Sequence, residues 1–133
     1  MILLDTHALV WWVSDPTRIP GKARRLLDAA VKSADPICVS SISVWEVAML
    51  VARGRLQLAM DADTWIATVE ALGFLRFVPV DNRIGARVVH LDAFASRDPA
   101  DRMIVATAVG MGATLVTADK QMRAYRPVTT VWD

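Results

Sequence analysis

The sequence predicts an α/β fold: one domain over residues 1–133, with a mainly parallel central sheet of about five short strands flanked by helices. Three observations carry that expectation. Short apolar runs without polar alternation recur along the chain, as strands buried on both faces require. Each run is followed by a segment whose apolar residues repeat at helical spacing. Asp, Ser or Thr stands at most of the boundaries between the two, where an N-cap belongs.

The first run, Ile2-Leu3-Leu4, ends at Asp5, and Asp5 or Thr6 can cap an apolar helix from Ala8 to Val13. Ser14-Asp15-Pro16 is a turn, and Lys22 to Lys32 places Ala23, Leu26, Leu27, Ala30 and Val31 at helical spacing. Ile37-Cys38-Val39 is a second strand. A helix from about Val44 to Ala52 follows, with Ser43 and Glu46 spaced as a capping box and Gly54 as its stop. Asp61 and Asp63 can cap Thr64 to Leu72, Gly73 closes it, and Phe77 to Val80 reads as a third strand with its Pro at an edge. Asp81 caps Asn82 to His90. A loop through Asp92 and Ser96 reaches Asp98-Pro99, where Pro at the first helical position starts a helix running to about Val109, terminated by Gly110 and Gly112. Ala113 to Val116 is a fourth strand, Asp119 to Ala124 a short helix and Val128 to Trp132 a last strand.

Composition narrows the function classes. Lys and Arg number 15 against 14 Asp and Glu, a net charge of +1, so no general attraction to nucleic acid is expected. Local groups matter instead: Arg97, Arg102, Lys120 and Arg123 lie near acidic motifs, where a phosphate-bearing ligand would meet them. Hydrophobic residues make up 54% and five are Trp, which is rich for a lone soluble domain and points to apolar surface covered by a partner. No stretch approaches the roughly 18 apolar residues of a membrane span, and the apolar start lacks the basic leader and cleavage site of a signal peptide. One cysteine, Cys38, sits in an apolar strand and suits a reducing compartment, the cytoplasm being the simplest.

Acids mark four strand ends or helix starts: Asp5, Glu46, the pair Asp98 and Asp101, and Asp119. Singly, each is best read as a cap. Together they read differently, because a sheet of this kind can bring several strand ends to one edge. Two carboxylates ~5 Å apart repel by about 3 kcal/mol at an effective dielectric near 20. A hard divalent cation relieves that conflict, and an all-oxygen site suits Mg²⁺ or Mn²⁺ better than Zn²⁺, for which His7 and His90 are too few and too separated. Such sites usually act at phosphorus.

Four stretches, Leu3 to His7, Ser41 to Ala48, Asp98 to Ala108 and Leu115 to Lys120, together resemble the PIN-domain family, and within it the VapC-type toxins of type II toxin-antitoxin pairs. The resemblance covers nearly the whole chain, in order. It implies a Mg²⁺- or Mn²⁺-dependent endoribonuclease that hydrolyses RNA with a metal-activated water. It also implies a homodimer, a small cognate antitoxin and a hetero-oligomer of the two. Asp5, Glu46, Asp101 and Asp119 fall at the family's four acidic positions. Asp5 and Asp101 would be principal metal ligands, Glu46 a ligand or a base acting through water, and Asp119 a ligand direct or through water; Asp98 is the extra acid of an Asp-Pro-x-Asp-Arg subgroup, a ligand or only a cap.

Thr6 and Thr117 stand close enough to Asp5 and Asp119 to orient a carboxylate. Arg97 and Lys120, in loops beside the acids, are candidates for the RNA backbone, whereas Arg102 is expected in a surface ion pair. Trp11 and Trp12 lie about 100° apart on their helix, so the two cannot face one core direction. Other readings fit less well. A haloacid-dehalogenase phosphatase needs a second Asp where His7 stands, and a receiver domain has no use for Glu46 or Asp101. A non-catalytic PIN-like module acting only through its antitoxin would be expected to have lost at least one acid.

Overall fold

The computed structural model describes residues 1–133. Its strands are β1 (Ile2–Leu4), β2 (Ile37–Ser40), β3 (Leu75–Val78), β4 (Thr114–Val116) and β5 (Thr130–Val131). They form one sheet of order β3-β2-β1-β4-β5, and every pairing is parallel. Helices α1 (Thr6–Ser14), α2 (Gly21–Ser33), α3 (Ser41–Ala52), α4 (Ala62–Glu70), α5 (Asn82–Arg87), α6 (Pro99–Met111) and α7 (Lys120–Ala124) connect them, with 3-10 turns at Pro16–Arg18 and Val88–His90. None is long and apolar enough to cross a membrane.

Strand alternation divides the core in two. Leu3 pairs with Cys38 and Leu115, and these face α6 and α7 through Ile104, Val105, Ala108 and Met122. Ile2, Leu4, Ile37, Val39 and Val116 point the other way, against Leu9 of α1, Ala23 and Leu27 of α2, and Trp65 and Val69 of α4. Both faces of the central strands are therefore apolar, which explains runs without polar alternation. Cys38 is buried there, and burial pushes its thiol above the usual cysteine range.

The chain builds outward from β1 to β2 and β3, then returns to the far side of β1 for β4 and β5. That reversal opens a crevice at the carboxyl ends of β1 and β4, where open α/β sheets bind ligands. Asp5 and Thr117 are the residues that follow those two strands.

Several boundaries differ from the sequence expectation. The third strand is Leu75–Val78, not Phe77 to Val80, because its register on β2 ends where Ser40 turns into α3, and Pro79 has no N–H to offer a ladder. Ser40, not Ser43, caps α3, accepting from the Ile42 amide at 3.2 Å, so Ser43 lies buried inside the helix and its capping box with Glu46 does not form. Helix α6 runs through Gly110 and ends at Gly112, whose φ of 63° is the left-handed geometry that stops a helix.

Arg102 departs from expectation most. It makes no surface ion pair; its guanidinium donates to the carbonyls of Ser96 at 2.9 Å, Val88 at 3.0 Å and Phe94 at 3.4 Å, and lies over the Phe94 ring. One side chain thus holds the loop that leads into α6. Replacing it, Arg102→Met, is expected to cost about 2 kcal/mol through the lost charged hydrogen bonds, lowering Tm by about 5–10 °C. An unchanged Tm in a thermal melt would show that the loop is held by other means.

Candidate metal centre at the switch point of the sheet

Each acid reaches the crevice because a local rule places it there. Asp5 ends β1 and caps α1, its Oδ1 accepting from the Ala8 amide at 2.8 Å. Its Oδ2 accepts from the Thr117 hydroxyl across the sheet. Asp98 caps α6 by accepting from the Asp101 amide at 3.1 Å, and Asp119 caps α7 by accepting from Met122 at 3.0 Å. Cap and site do not exclude one another: a carboxylate has two oxygens and about four lone-pair positions, and a cap uses one. The helix starts that favour these caps also favour negative charge at their amino ends.

Glu46 comes from the second turn of α3. Thr6 Oγ1 lies 2.5 Å from Glu46 Oε1 and 2.9 Å from Ser43 Oγ. A hydroxyl carries one hydrogen, so Thr6 donates to the carboxylate and the Ser43 hydroxyl donates to Thr6. Thr6 and Ser43 are both buried, so this chain fixes one Glu46 oxygen. Thr117, also buried, serves Asp5 in the same way, and its Oγ1 accepts from the Asp119 amide at 3.0 Å.

The structure brings all five predicted acids to one cleft of about 430 Å³, lined by Asp5, Glu46, Asp98, Asp101 and Asp119, with His7 and Trp11 also in its wall. Oxygens of Glu46, Asp98 and Asp101 lie within 4.8 Å of one another. Asp98 is therefore a member of the cluster as well as a cap. Asp101 is half-buried, and its carboxyl is pushed up to about 6, first by burial and then by Asp98, with Asp119 and Glu46 adding to it. The Asp5 carboxyl is also raised, chiefly by burial. An all-oxygen set at this spacing, with acids that resist ionising beside one another, fits a hard divalent cation.

Arg97 and Lys120 are exposed, and neither lines the cleft wall. Sequence reasoning missed Ser96, which is buried, donates to Asp101 Oδ2 at 3.1 Å and accepts from the Asp98 amide at 3.2 Å. A serine two residues before a capping Asp was the available signal. It also missed His7 and Trp11, four residues apart on α1 and so on one face of that helix.

Comparison with known proteins agrees with this geometry. A family model described as the PIN domain matches residues 2–126. The chain is 37% identical over 134 residues to Ribonuclease VapC22 of Mycobacterium tuberculosis, covering 98% of each protein. Its fold is similar to chains in the crystal structures of VapBC2 from Rickettsia felis bound to a promoter DNA fragment (TM-score 0.74, 19% identity, 100% of both chains) and of FitAcB from Neisseria gonorrhoeae (TM-score 0.70, 23% identity, 98% of this chain and 96% of that one). With the acids at the switch point and the family match spanning nearly every element, the chain belongs to the PIN-domain family.

Proposed function

We propose that this chain is a metal-dependent endoribonuclease, the toxin of a type II toxin-antitoxin pair, with residues 1–133 acting as one nuclease domain. The observation that carries the reading is the convergence of five carboxylates on one cleft, three of them with oxygens within 4.8 Å of one another. The similarity to a VapC ribonuclease along the whole chain supports the same reading.

Asp5, Glu46, Asp101 and Asp119, joined by Asp98, would hold Mg²⁺ or Mn²⁺. A divalent cation there supplies Lewis acidity toward a phosphodiester and a nucleophilic water at neutral pH. The protein's part is positional. Thr117 fixes Asp5, Thr6 with Ser43 fixes Glu46, and Ser96 fixes Asp101, so the acids need not reorganise when the cation arrives. Arg97 and Lys120, on segments beside Asp98 and Asp119, are placed for backbone phosphates outside the cleft. A small antitoxin is the expected partner in the cytoplasm, alongside a second copy of this chain. Trp45 at 53% exposure and Val89 at 72% are apolar surface that such partners would cover.

The test is cleavage of a structured RNA pool by the purified chain, free of antitoxin. Cutting that appears with Mg²⁺ or Mn²⁺, stops with EDTA and is lost in Asp5→Asn is the expected result. Cation binding without any cutting would favour the non-catalytic module, and no cation binding would reduce the acids to caps.

A further inference from the structure

The wall of the cleft presents a problem for any polyanion. It carries five carboxylates and no Lys or Arg. One cation at the acids offsets part of that charge at one phosphate only; Arg97 and Lys120 lie outside the wall, so along the wall itself the strand is best held by contacts that do not depend on charge. Two rings in the same wall offer them. His7 and Trp11 stand one turn apart on α1 with ring centroids 5.6 Å apart and planes tilted by 51°. His7 is exposed, whereas Trp11 is half-buried and also packs on Trp132 at 5.7 Å and under the Arg18 guanidinium, 4.9 Å from its ring centre. The outer ring therefore packs against an inner one that is itself in contact with Trp132 and Arg18.

Resting on the ribonuclease reading, we infer that the His7–Trp11 shelf stacks an unpaired base of the RNA adjoining the phosphate that lies over the acids. Every base has a π-face, so stacking holds the strand without competing with the carboxylates. A shelf of this kind needs a base splayed out of its helix, which makes loops and single strands the substrate class rather than duplex RNA. His7 is the base-stacking contact and Trp11 its positioning residue.

The experiment measures binding of short fluorescein-labelled oligo-A, oligo-C, oligo-G and oligo-U strands to the full chain with Ca²⁺, together with versions in which each position in turn is abasic. Native chain is expected to bind, and His7→Ala to bind about tenfold more weakly. His7→Phe, which keeps a ring without the imidazole nitrogens, is expected to stay within about twofold of native. One abasic position should reproduce the His7→Ala loss, and on that strand His7→Ala should cause no further loss. The inference is overturned if the native chain binds none of the strands, if His7→Ala binds intact strands like native, or if it weakens every abasic strand equally. It also fails if His7→Phe is as damaging as His7→Ala, which would make the contact one of the imidazole nitrogens and not of the ring face, or if His7→Ala spares RNA and weakens only an antitoxin complex. Cleavage with Mn²⁺ is read separately: a native chain that shows the base-dependent binding but cuts nothing keeps the shelf and overturns the nuclease reading.

Discussion

Asp101→Asn is expected to lower metal-dependent RNA cleavage by about a thousandfold, which corresponds to the roughly 4 kcal/mol of transition-state stabilisation that a cation in place supplies. The same change is expected to make the metal-free chain more stable. Asp101 ionises less readily in the fold than in the unfolded chain, since burial and the facing Asp98, Asp119 and Glu46 push its carboxyl to about 6. A raised carboxyl binds its proton more tightly when folded, so its cost is absent at low pH, appears as pH rises above about 4 and is complete above about 6. Taken whole, the shift is worth about 3 kcal/mol, and solvent screening of a half-exposed group leaves about 1–2 kcal/mol. Thermal melts in EDTA should therefore give wild-type chain a lower Tm at pH 7.5 than at pH 5.5, with the difference reduced in Asp101→Asn. Added Mn²⁺ should raise the Tm of wild type well above that of the variant. Equal cleavage by both proteins would remove Asp101 from the site, and equal pH profiles would remove the charge conflict.

The largest effect on stability alone is expected at Leu4. It is fully buried in β1, between the β2 and β4 ladders, and packs on the face covered by α1, α2 and α4. Its neighbours on both sides, Val39 of β2 and Val116 of β4, are fixed by the sheet and cannot collapse into the space left behind. Leu4→Ala is accordingly expected to cost about 3–4 kcal/mol, in the middle of the range for such truncations, and to lower Tm by about 10–15 °C. Chemical denaturation should show a lower midpoint with an unchanged slope. A loss below about 1 kcal/mol would mean that the cavity refills.

Much of this arrangement is legible in the sequence where a local rule has one solution. The triplet Ile2–Leu4 has to be a doubly buried strand, and Asp5, Asp61, Asp81, Asp98 and Asp119 all cap the helices expected of them. Legibility fails where the rule has several solutions and packing selects one. Ser40, Ser41 and Ser43 are each able to start a helix, and the choice of Ser40 follows from β2 ending there and from Ser43 being needed against Thr6. Gly110 and Gly112 are equally plausible stops until the backbone shows which has positive φ. The third strand was displaced by two residues because Val80 is as apolar as Leu75, and only the register on β2 distinguishes them. Arg102 is illegible for a different reason: its partners are backbone carbonyls of an irregular loop, which leave no trace in residue identity. At the site, the acids were readable because caps and ligands draw on the same residue type. The Ser96 and Ser43 contacts that fix them were not, since a serine in a loop or helix has many ordinary uses.

The place of β1 in the sheet has a consequence for biosynthesis. The strand is made well before one of its two neighbours, β4, which starts at Thr114, and Ile2 pairs with that very residue. A nascent chain that has emerged only through α4 carries Asp5 and Glu46 but neither α6 nor β4, so Asp98, Asp101 and Asp119 are missing and Asp5 has no Thr117 to hold it. Pairings across such sequence separations form late, after the loop-closure entropy can be offset. The acidic cleft is consequently assembled only after α6, β4 and the start of α7 have emerged, with Asp119 the last of its acids to be made.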